Sequence, residues 1–230
     1  IAKLTPPHVG LISHRSRVTE ALAQGLRSGM CWIAAPAGYG KTTAVAEYLE
    51  SAGAPFLWYR VDEGDRDIAG FFHYLTTSLP VPPPSRLPIF GPEYADQPEA
   101  FARRFFRDYF SLCEDGCLLI LDDLHSADRP QFNATLKMLR AELPQTMGCV
   151  CVSRNLPPRD LESLSRRGLL DIIDQDTLRF TDEEAGALIA LRSGQPTSTS
   201  DSRIACARGW AVGLTLLANR DEGTRDADIY

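Results

Sequence analysis

The stretch from Ala35 to Thr43 brings small residues, a lysine and two hydroxyls together directly after an apolar run. Small residues let consecutive backbone N–H groups turn inward around the phosphates of a nucleotide, and the helix that follows aims its positive dipole end at the same anion. The spacing follows the pattern G-x-x-x-x-G-K-[ST], in which Lys41 would reach the β- and γ-phosphates and Thr42 would bind Mg²⁺. We therefore predict a phosphate-binding loop formed by Pro36, Ala37, Gly38, Tyr39, Gly40, Lys41, Thr42 and Thr43.

The first position of that pattern holds Ala35 instead of glycine. Because alanine disfavours a positive φ angle, we expect the chain to leave the preceding strand with a negative φ at Ala35. A chance Gly-Lys-Thr in a surface loop is the alternative interpretation. The apolar run before the loop and the helical pattern after it disfavour that alternative.

Two adjacent carboxylates follow the apolar run Leu118–Leu121. An unbroken aliphatic run is typical of a central parallel strand that is buried on both faces, and open α/β sheets bind ligands at the carboxyl ends of such strands. We assign Asp122 to Mg²⁺ and Asp123 to the orientation of the attacking water, two tasks that acids perform beside a phosphate loop. Considered alone, the Asp-Asp pair could equally form a turn or a helix cap.

The composition is that of a globular protein with enough apolar residues to bury a core. The 230 residues are 44% hydrophobic and 23% charged, with a formal net charge of −6. This charge argues against a nucleic-acid surface, and the chain has no run of about 18 apolar residues that would cross a membrane. The six cysteines show no C-x-x-C spacing, so we expect reduced thiols, buried at Cys31, Cys117, Cys149 and Cys151, and a cytoplasmic location.

Apolar periodicity divides the chain into alternating strands and helices. Strands are predicted at residues 31–35, 55–61, 117–121 and 149–152, with an irregular fifth strand within residues 171–180. Helices are predicted around residues 18–26, 41–52, 68–79, 101–112, 132–143, 182–192 and 201–218, with a proline-rich linker at residues 80–98. The predicted fold is α/β, a parallel five-stranded sheet sandwiched by helices. We expect a nucleotide-binding domain over residues 1–180 and a small helical subdomain over residues 181–230.

The order of the motifs along the chain predicts which strand lies between the two motif strands. In phosphate-loop proteins with an inserted central strand, the strand after the acidic pair lies between the two motif strands. We therefore expect residues 149–152 in the centre of the sheet. Arg154 follows them, and a guanidinium at that tip would face the γ-phosphate and report its presence. A surface arginine at the end of a strand is the alternative.

Taken together, these residues resemble the nucleotide-binding domain of the STAND signalling ATPases. Within that class the chain is most similar to the large ATP-binding, maltose-activator-like transcriptional regulators of the LuxR type. The matching motifs are Lys3-Leu4-x-Pro6-Pro7, Leu11-Ile12-x-x-Arg15-x-Arg17, the phosphate loop, Leu121-Asp122-Asp123-Leu124-His125, Val152-Ser153-Arg154, Leu178-Arg179-Phe180-Thr181-x-x-Glu184-Ala185 and Gly209-Trp210-Ala211-x-Gly213-Leu214. They span almost the entire chain.

The resemblance implies a P-loop NTPase fold and a molecular switch. ADP would hold the resting form, ATP would replace it and permit self-association, and slow Mg²⁺-dependent hydrolysis would reset the protein. The resemblance also implies that Lys41 and Thr42 hold phosphate and Mg²⁺, that Asp122 holds the metal, and that Arg154 senses the γ-phosphate. With Asp123, assigned above to the attacking water, Lys41, Asp122 and Arg154 are the candidate catalytic residues. The segment from Pro7 to Arg15 is implied to lie near the adenine. That segment could instead be a packing strap across the sheet.

The family continues beyond this region into a winged-helix domain, a helical-repeat sensor and a helix-turn-helix that binds DNA. We therefore expect the chain to be part of a longer regulator, with DNA contacted only through a domain absent here. Gly209 and Trp210 would serve as packing in the helical subdomain.

Two other classes of protein stay open at this point. A small-molecule kinase would need a substrate pocket and an arginine-bearing lid, for which only Arg166 and Arg167 are available. An AAA+-like assembly ATPase more often carries Asn or Thr than Arg at the position of Arg154, where the side chain senses the γ-phosphate. The choice of adenine over guanine follows from the resemblance, since no guanine-reading Asn-Lys-x-Asp is present.

Overall fold

The computed structural model describes residues 1–7, 10, 14–79 and 87–225. The motif residues Leu11 and Ile12, and residues 80–86 of the proline-rich linker, lie outside the described residues. Within the part of the chain that the structure describes, no helix has the length and apolar character that crossing a membrane requires.

A five-stranded parallel sheet lies at the centre of the fold, in the order β2-β3-β4-β1-β5. The strands are β1 (Met30–Ala34), β2 (Phe56–Arg60), β3 (Leu118–Asp122), β4 (Gly148–Ser153) and β5 (Asp171–Ile173). The predicted fold class is confirmed, and so is the central position of the strand that precedes Arg154. β1, β3 and β4 are buried along their whole length, as expected of strands covered on both faces.

Ten α-helices are described. They are α1 (Ser16–Gly25), α2 (Lys41–Ala52), α3 (Ile68–Ser78), α4 (Pro98–Phe110), α5 (Pro130–Glu142), α6 (Glu162–Arg166), α7 (Gln175–Leu178), α8 (Asp182–Ser193), α9 (Ser202–Ala207) and α10 (Ala211–Arg225). The aromatic side chains of α3 and α4 pack with Trp32 and Leu119 on one face of the sheet, whereas α1 and α2 pack with Ile33 and Ile120 on the other. The two-residue alternation along each strand produces these two faces. Cys31, Cys117, Cys149 and Cys151 are buried, as predicted.

The C-terminal helices α8, α9 and α10 have a hydrophobic cluster of their own, formed by Ala185, Leu188, Ile189, Ile204, Ala207, Leu214 and Ala218. The prediction of one helix over residues 201–218 is wrong, because a turn at Arg208 and Gly209 separates α9 from α10. Both residues have positive φ angles, 49° and 75°. A Cβ at Gly209 would lie 2.7 Å from the carbonyl oxygen of Phe180, so only glycine fits at that position.

The fifth strand is shorter than predicted, because α7 occupies the residues that follow Asp174. The side chain of Asp174 accepts hydrogen bonds from the backbone N–H groups of Asp176 and Thr177. This is an N-cap, which favours a helical turn over further strand.

Candidate functional site

Three strand ends converge at one edge of the sheet. Parallel pairing sets Ala34 beside Ser153, and Leu121 beside Cys151. The segments that follow β1, β3 and β4 therefore begin next to one another. They are the phosphate loop, the acidic pair and Arg154, so the structure brings together the three motifs that the sequence placed at strand ends.

The phosphate loop connects β1 directly to α2, and α2 begins at Lys41. Gly38 and Gly40 have φ angles of 80° and 75°, which glycine adopts without strain. Ala35 is not among the residues with a positive φ, as predicted. Pro36 and Ala37 are exposed. The loop therefore has the conformation and the accessibility that an anion site requires.

The Lys41 side chain is turned back onto its own loop. Its Nζ donates hydrogen bonds to the carbonyl oxygens of Ala35, at 2.7 Å, and Pro36, at 2.9 Å. The residue is 9% exposed, and burial, followed by repulsion from Arg154, lowers its pKa. Because neutral carbonyls are its hydrogen-bond partners, this ammonium is suited to pairing with an anion that enters the loop.

Thr42 joins the phosphate loop to the acidic strand. Its Oγ1 donates to the Asp122 carboxylate, at 3.3 Å from Oδ1 and 3.2 Å from Oδ2, and the backbone N–H of Asp123 donates to Oδ1 at 2.9 Å. Asp122 is fully buried. Burial, followed by the charge of Asp123, raises its pKa to about 6. A hydroxyl and a carboxylate at this distance form a pair of hard oxygen ligands that fits Mg²⁺.

Asp123 lies in a polar cluster beside this pair. It has a φ of 59°, and its carboxylate is 3.5 Å from Nε of Arg60 and 4.0 Å from Nδ1 of His125. The His125 Nδ1 is buried and has no hydrogen-bond partner among the described residues. Burial, followed by repulsion from Arg154, lowers the pKa of His125. The sequence identified His125 only as part of a motif.

Arg154 lies close enough to Lys41 and His125 to affect both of them electrostatically. It is exposed and directly follows β4. Its charge contributes, after burial, to the lowered pKa of both Lys41 and His125. The structure therefore brings Arg154 near the loop lysine, which is where a group that senses a bound phosphate would have to lie.

A cavity of about 150 Å³ lies between the phosphate loop and the C-terminal helices. It is lined by Arg15, Gly38, Gly40, Thr43, Phe180, Leu188, Arg192, Ala211, Val212 and Thr215. Pockets for whole drug-sized ligands measure about 300–1,000 Å³, so this cavity suits one part of a nucleotide, such as a planar base. Its position beside Gly40 and Thr43 would leave the phosphates in the loop.

Arg15 forms a buried part of the cavity wall and is 2% exposed. Its backbone N–H donates to the Glu47 carboxylate at 2.6 Å, and its Nη1 donates to the carbonyl oxygen of Leu178 at 3.0 Å. The guanidinium also lies over the Phe180 ring, 4.4 Å from the centroid. Burial lowers the pKa of Arg15, and the charge of Glu47 opposes that shift. Pro7 is not among the cavity-lining residues.

Sequence reasoning missed several residues of this wall, including Phe180, Arg192, Val212 and Thr215. The Nε of Arg192 is buried and has no hydrogen-bond partner among the described residues, which marks a donor available to a ligand. A signal for Arg192 existed, since Leu188 and Arg192 are four residues apart on one predicted helix and therefore share a face. No comparable local signal indicated that residues 210–215 reach the loop.

The similarity to known proteins agrees with these motifs. No protein-family model matches the chain. Over 212 residues it is 29% identical to the HTH-type transcriptional regulator MalT of Klebsiella pneumoniae and to that of Cronobacter sakazakii, an alignment that covers 89% of this chain. The chain is homologous to MalT. This confirms the resemblance inferred from the motifs, and the chain spans 23% of the length of these MalT proteins.

Solved structures provide a second comparison. The Thermotoga maritima RuvB Holliday junction branch migration motor aligns with a TM-score of 0.48 and 16% identity, covering 90% of this chain and 61% of that one. A structure described for katanin self-assembly aligns with a TM-score of 0.44 and 18% identity, covering 89% and 63%. Both are weaker relations than the homology to MalT. The strand order and the phosphate loop themselves identify the P-loop NTPase fold.

Proposed function

We propose that this chain is the nucleotide-binding switch module of a longer, MalT-like regulator, and that it binds an adenine nucleotide with Mg²⁺ and hydrolyses ATP slowly. The main observation in support of this proposal is the hydrogen bond between the Thr42 hydroxyl and the Asp122 carboxylate. Two motifs that lie 80 residues apart in the sequence meet there, and a phosphate loop beside a buried acid is what a Mg²⁺-nucleotide requires.

Each residue of the site has a distinct role in this proposal. The loop N–H groups and Lys41 bind the phosphates, and Thr42 and Asp122 hold Mg²⁺, which neutralises phosphate charge when it is bound. The carboxylate of Asp123 accepts a hydrogen bond from the attacking water and orients it. Arg154 pairs with oxygens of the terminal phosphate and so distinguishes ATP from ADP.

The base would enter the cavity beside Arg15, Phe180 and Arg192. The preference for adenine rests on the homology to MalT, and the role of Pro7 near the base stays a prediction from sequence. We also propose the division into a nucleotide-binding domain, residues 1–180, and a helical subdomain, residues 181–230. The separate hydrophobic cluster of the C-terminal helices supports it.

In the full regulator, we propose that the resting form holds ADP and that ATP permits self-association in the cytoplasm. DNA would be bound by another part of that protein. The kinase alternative has less support, because Arg166 lines a separate cavity with Leu156 and Ile172, and none of these three residues lines the cavity beside the loop.

The proposal is tested by titrating the purified protein with ADP and ATP in the presence of Mg²⁺, using calorimetry, after any copurified nucleotide has been identified. Lys41→Ala should weaken binding of both by about 10- to 150-fold, since a hydrogen bond to a charged group contributes about 1.5–3 kcal/mol. Lys137→Ala, which removes a lysine from α5, is the matched control. Failure of the wild-type protein to bind either nucleotide would reject the proposed function.

A further inference from the structure

We propose that the C-terminal helices hold the phosphate loop in its phosphate-binding conformation, with Trp210 as a positioning residue for that loop. This inference rests on the proposed function and deepens it. It gives the start of α10 a task that the sequence did not suggest, where Trp210 looked like packing within the subdomain.

Two donors at the start of α10 bind two consecutive carbonyl oxygens of the loop. The backbone N–H of Val212 donates to the carbonyl oxygen of Gly38 at 3.0 Å. The indole Nε1 of Trp210 donates to the carbonyl oxygen of Ala37 at 3.3 Å. In a trans peptide unit the C=O and the following N–H point in opposite directions. Both contacts therefore turn the N–H groups of Gly38 and Tyr39 away from the C-terminal helices, as donors for an anion within the loop.

The contact between the loop and the indole is close. A Cβ at Gly38 would lie 2.7 Å from the Trp210 Nε1 and 3.0 Å from Cγ2 of Val212. No side chain therefore fits at position 38 while the indole remains in place, and glycine lets the loop backbone approach the start of α10. Trp210 is 40% exposed, whereas Trp32 and Trp58 are each 2% exposed. An exposed tryptophan whose N–H contacts a functional loop is not explained by core packing.

The turn before α10 fixes the position of Trp210. The carbonyl oxygen of Gly209 accepts a hydrogen bond from the Phe180 backbone N–H at 3.1 Å, and the N–H of Trp210 donates to the carbonyl oxygen of Ala207 at 2.9 Å. Phe180 in turn lies beneath the Arg15 guanidinium. The indole is therefore connected to the wall of the cavity as well as to the loop.

Phosphate binding and docking of the C-terminal helices are coupled through these contacts. Helices that leave the loop would remove two hydrogen bonds that orient its N–H donors. A bound phosphate, which needs those donors, favours the docked helices to the same extent, because coupling between two equilibria is reciprocal. The position of the helical subdomain would thus depend on whether the loop contains phosphate.

The test compares a ligand that has phosphates with one that lacks them. Trp210→Phe keeps an aromatic ring and removes the donor, so ADP affinity measured by calorimetry should fall about two- to tenfold, the effect of one neutral hydrogen bond. Adenosine affinity should not change. Val212→Pro removes the other donor in the first turn of α10, where the helix does not use the N–H. It should also weaken ADP binding, and the comparison with adenosine is made on Trp210→Phe alone, because Val212 lines the cavity.

Trp58→Phe is the matched control, since Trp58 is buried and its Nε1 has no hydrogen-bond partner among the described residues. It should leave both affinities unchanged. Equal losses for ADP and adenosine in the Trp210 variant would indicate a merely structural role and overturn this inference. So would an unchanged ADP affinity in both donor variants while the wild-type protein binds ADP. A wild-type protein that binds no nucleotide would overturn the proposed function, and this inference with it.

Discussion

Replacing Asp122 by asparagine should stabilise the nucleotide-free protein at neutral pH while abolishing Mg²⁺-dependent nucleotide binding. The carboxylate is fully buried, and its donors are a hydroxyl, on Thr42, and a backbone N–H, on Asp123. Neither donor carries a charge that would compensate an ionised carboxylate. Burial, followed by repulsion from Asp123, raises the pKa of Asp122 to about 6, from an ordinary value of 3.8.

The size and sign of the effect follow from that shift. The folded protein binds the proton of the Asp122 carboxyl more tightly than the unfolded chain does. The contribution of the protonated carboxyl to the free energy of unfolding is therefore complete below about pH 4 and is lost as the pH rises to about 6. A shift of about two pKa units corresponds to about 3 kcal/mol. Asparagine preserves the polar contacts, because its carbonyl accepts from Asp123 and its amide donates to Thr42. We expect Asp122→Asn to raise the free energy of unfolding by about 1–3 kcal/mol at pH 8.

The assay is urea unfolding without nucleotide and in the presence of a metal chelator, at pH 8 and at pH 4.5. The extra free energy of unfolding of Asp122→Asn over wild type should shrink at pH 4.5 to about a third of its value at pH 8, because most of the native carboxyl is already protonated at the lower pH. Asp108→Asn, at a partly exposed position on α4, should show neither the gain nor its pH dependence. A variant that is less stable than wild type at pH 8, or that has the same advantage at both pH values, would contradict this account of the buried carboxylate.

Three further substitutions test individual roles. Asp123→Asn should slow ATP hydrolysis about 100-fold or more while sparing MgATP affinity, and turnover at the wild-type rate would reject its role with water. Arg154→Ala should bring the ratio of ATP to ADP affinity close to one. Arg167→Ala, at another exposed arginine, is the control. A wild-type ratio in the Arg154 variant would reject the role of Arg154 in sensing the terminal phosphate. Arg192→Ala should weaken adenosine binding about tenfold or more, the effect of one hydrogen bond from a charged group. Unchanged adenosine affinity in calorimetry would exclude Arg192 from the base site.

The parts of the site that could be predicted from sequence are those that local chemistry specifies. The loop before Lys41 needs small residues and a following helix, so its pattern identifies it wherever the chain carries it. Aliphatic runs such as Leu118–Leu121 identify buried strands, and parallel strands place the residues after them at one edge. The meeting of Thr42 with Asp122 was therefore predictable without coordinates.

Other features depended on contacts that no local pattern records. The periodic pattern of residues 201–218 favours one helix, but the turn at Arg208 and Gly209 is imposed by the close approach of the Phe180 backbone. A tertiary contact overrides local propensity there. Trp210, which sequence reasoning assigned to packing, binds the loop only because that turn aims it there.

The sequence by itself thus determined the phosphate loop, the acidic strand, the position of β4 between the two motif strands and the resemblance to maltose-activator-like regulators. These follow from short-range spacing and from the connectivity of parallel strands. Only the tertiary structure decided the wall of the cavity and the contact between Trp210 and the loop. Arg15, Phe180 and Val212 are far apart in the sequence, and the packing of separate elements, which leaves no periodicity in any one of them, brings them together.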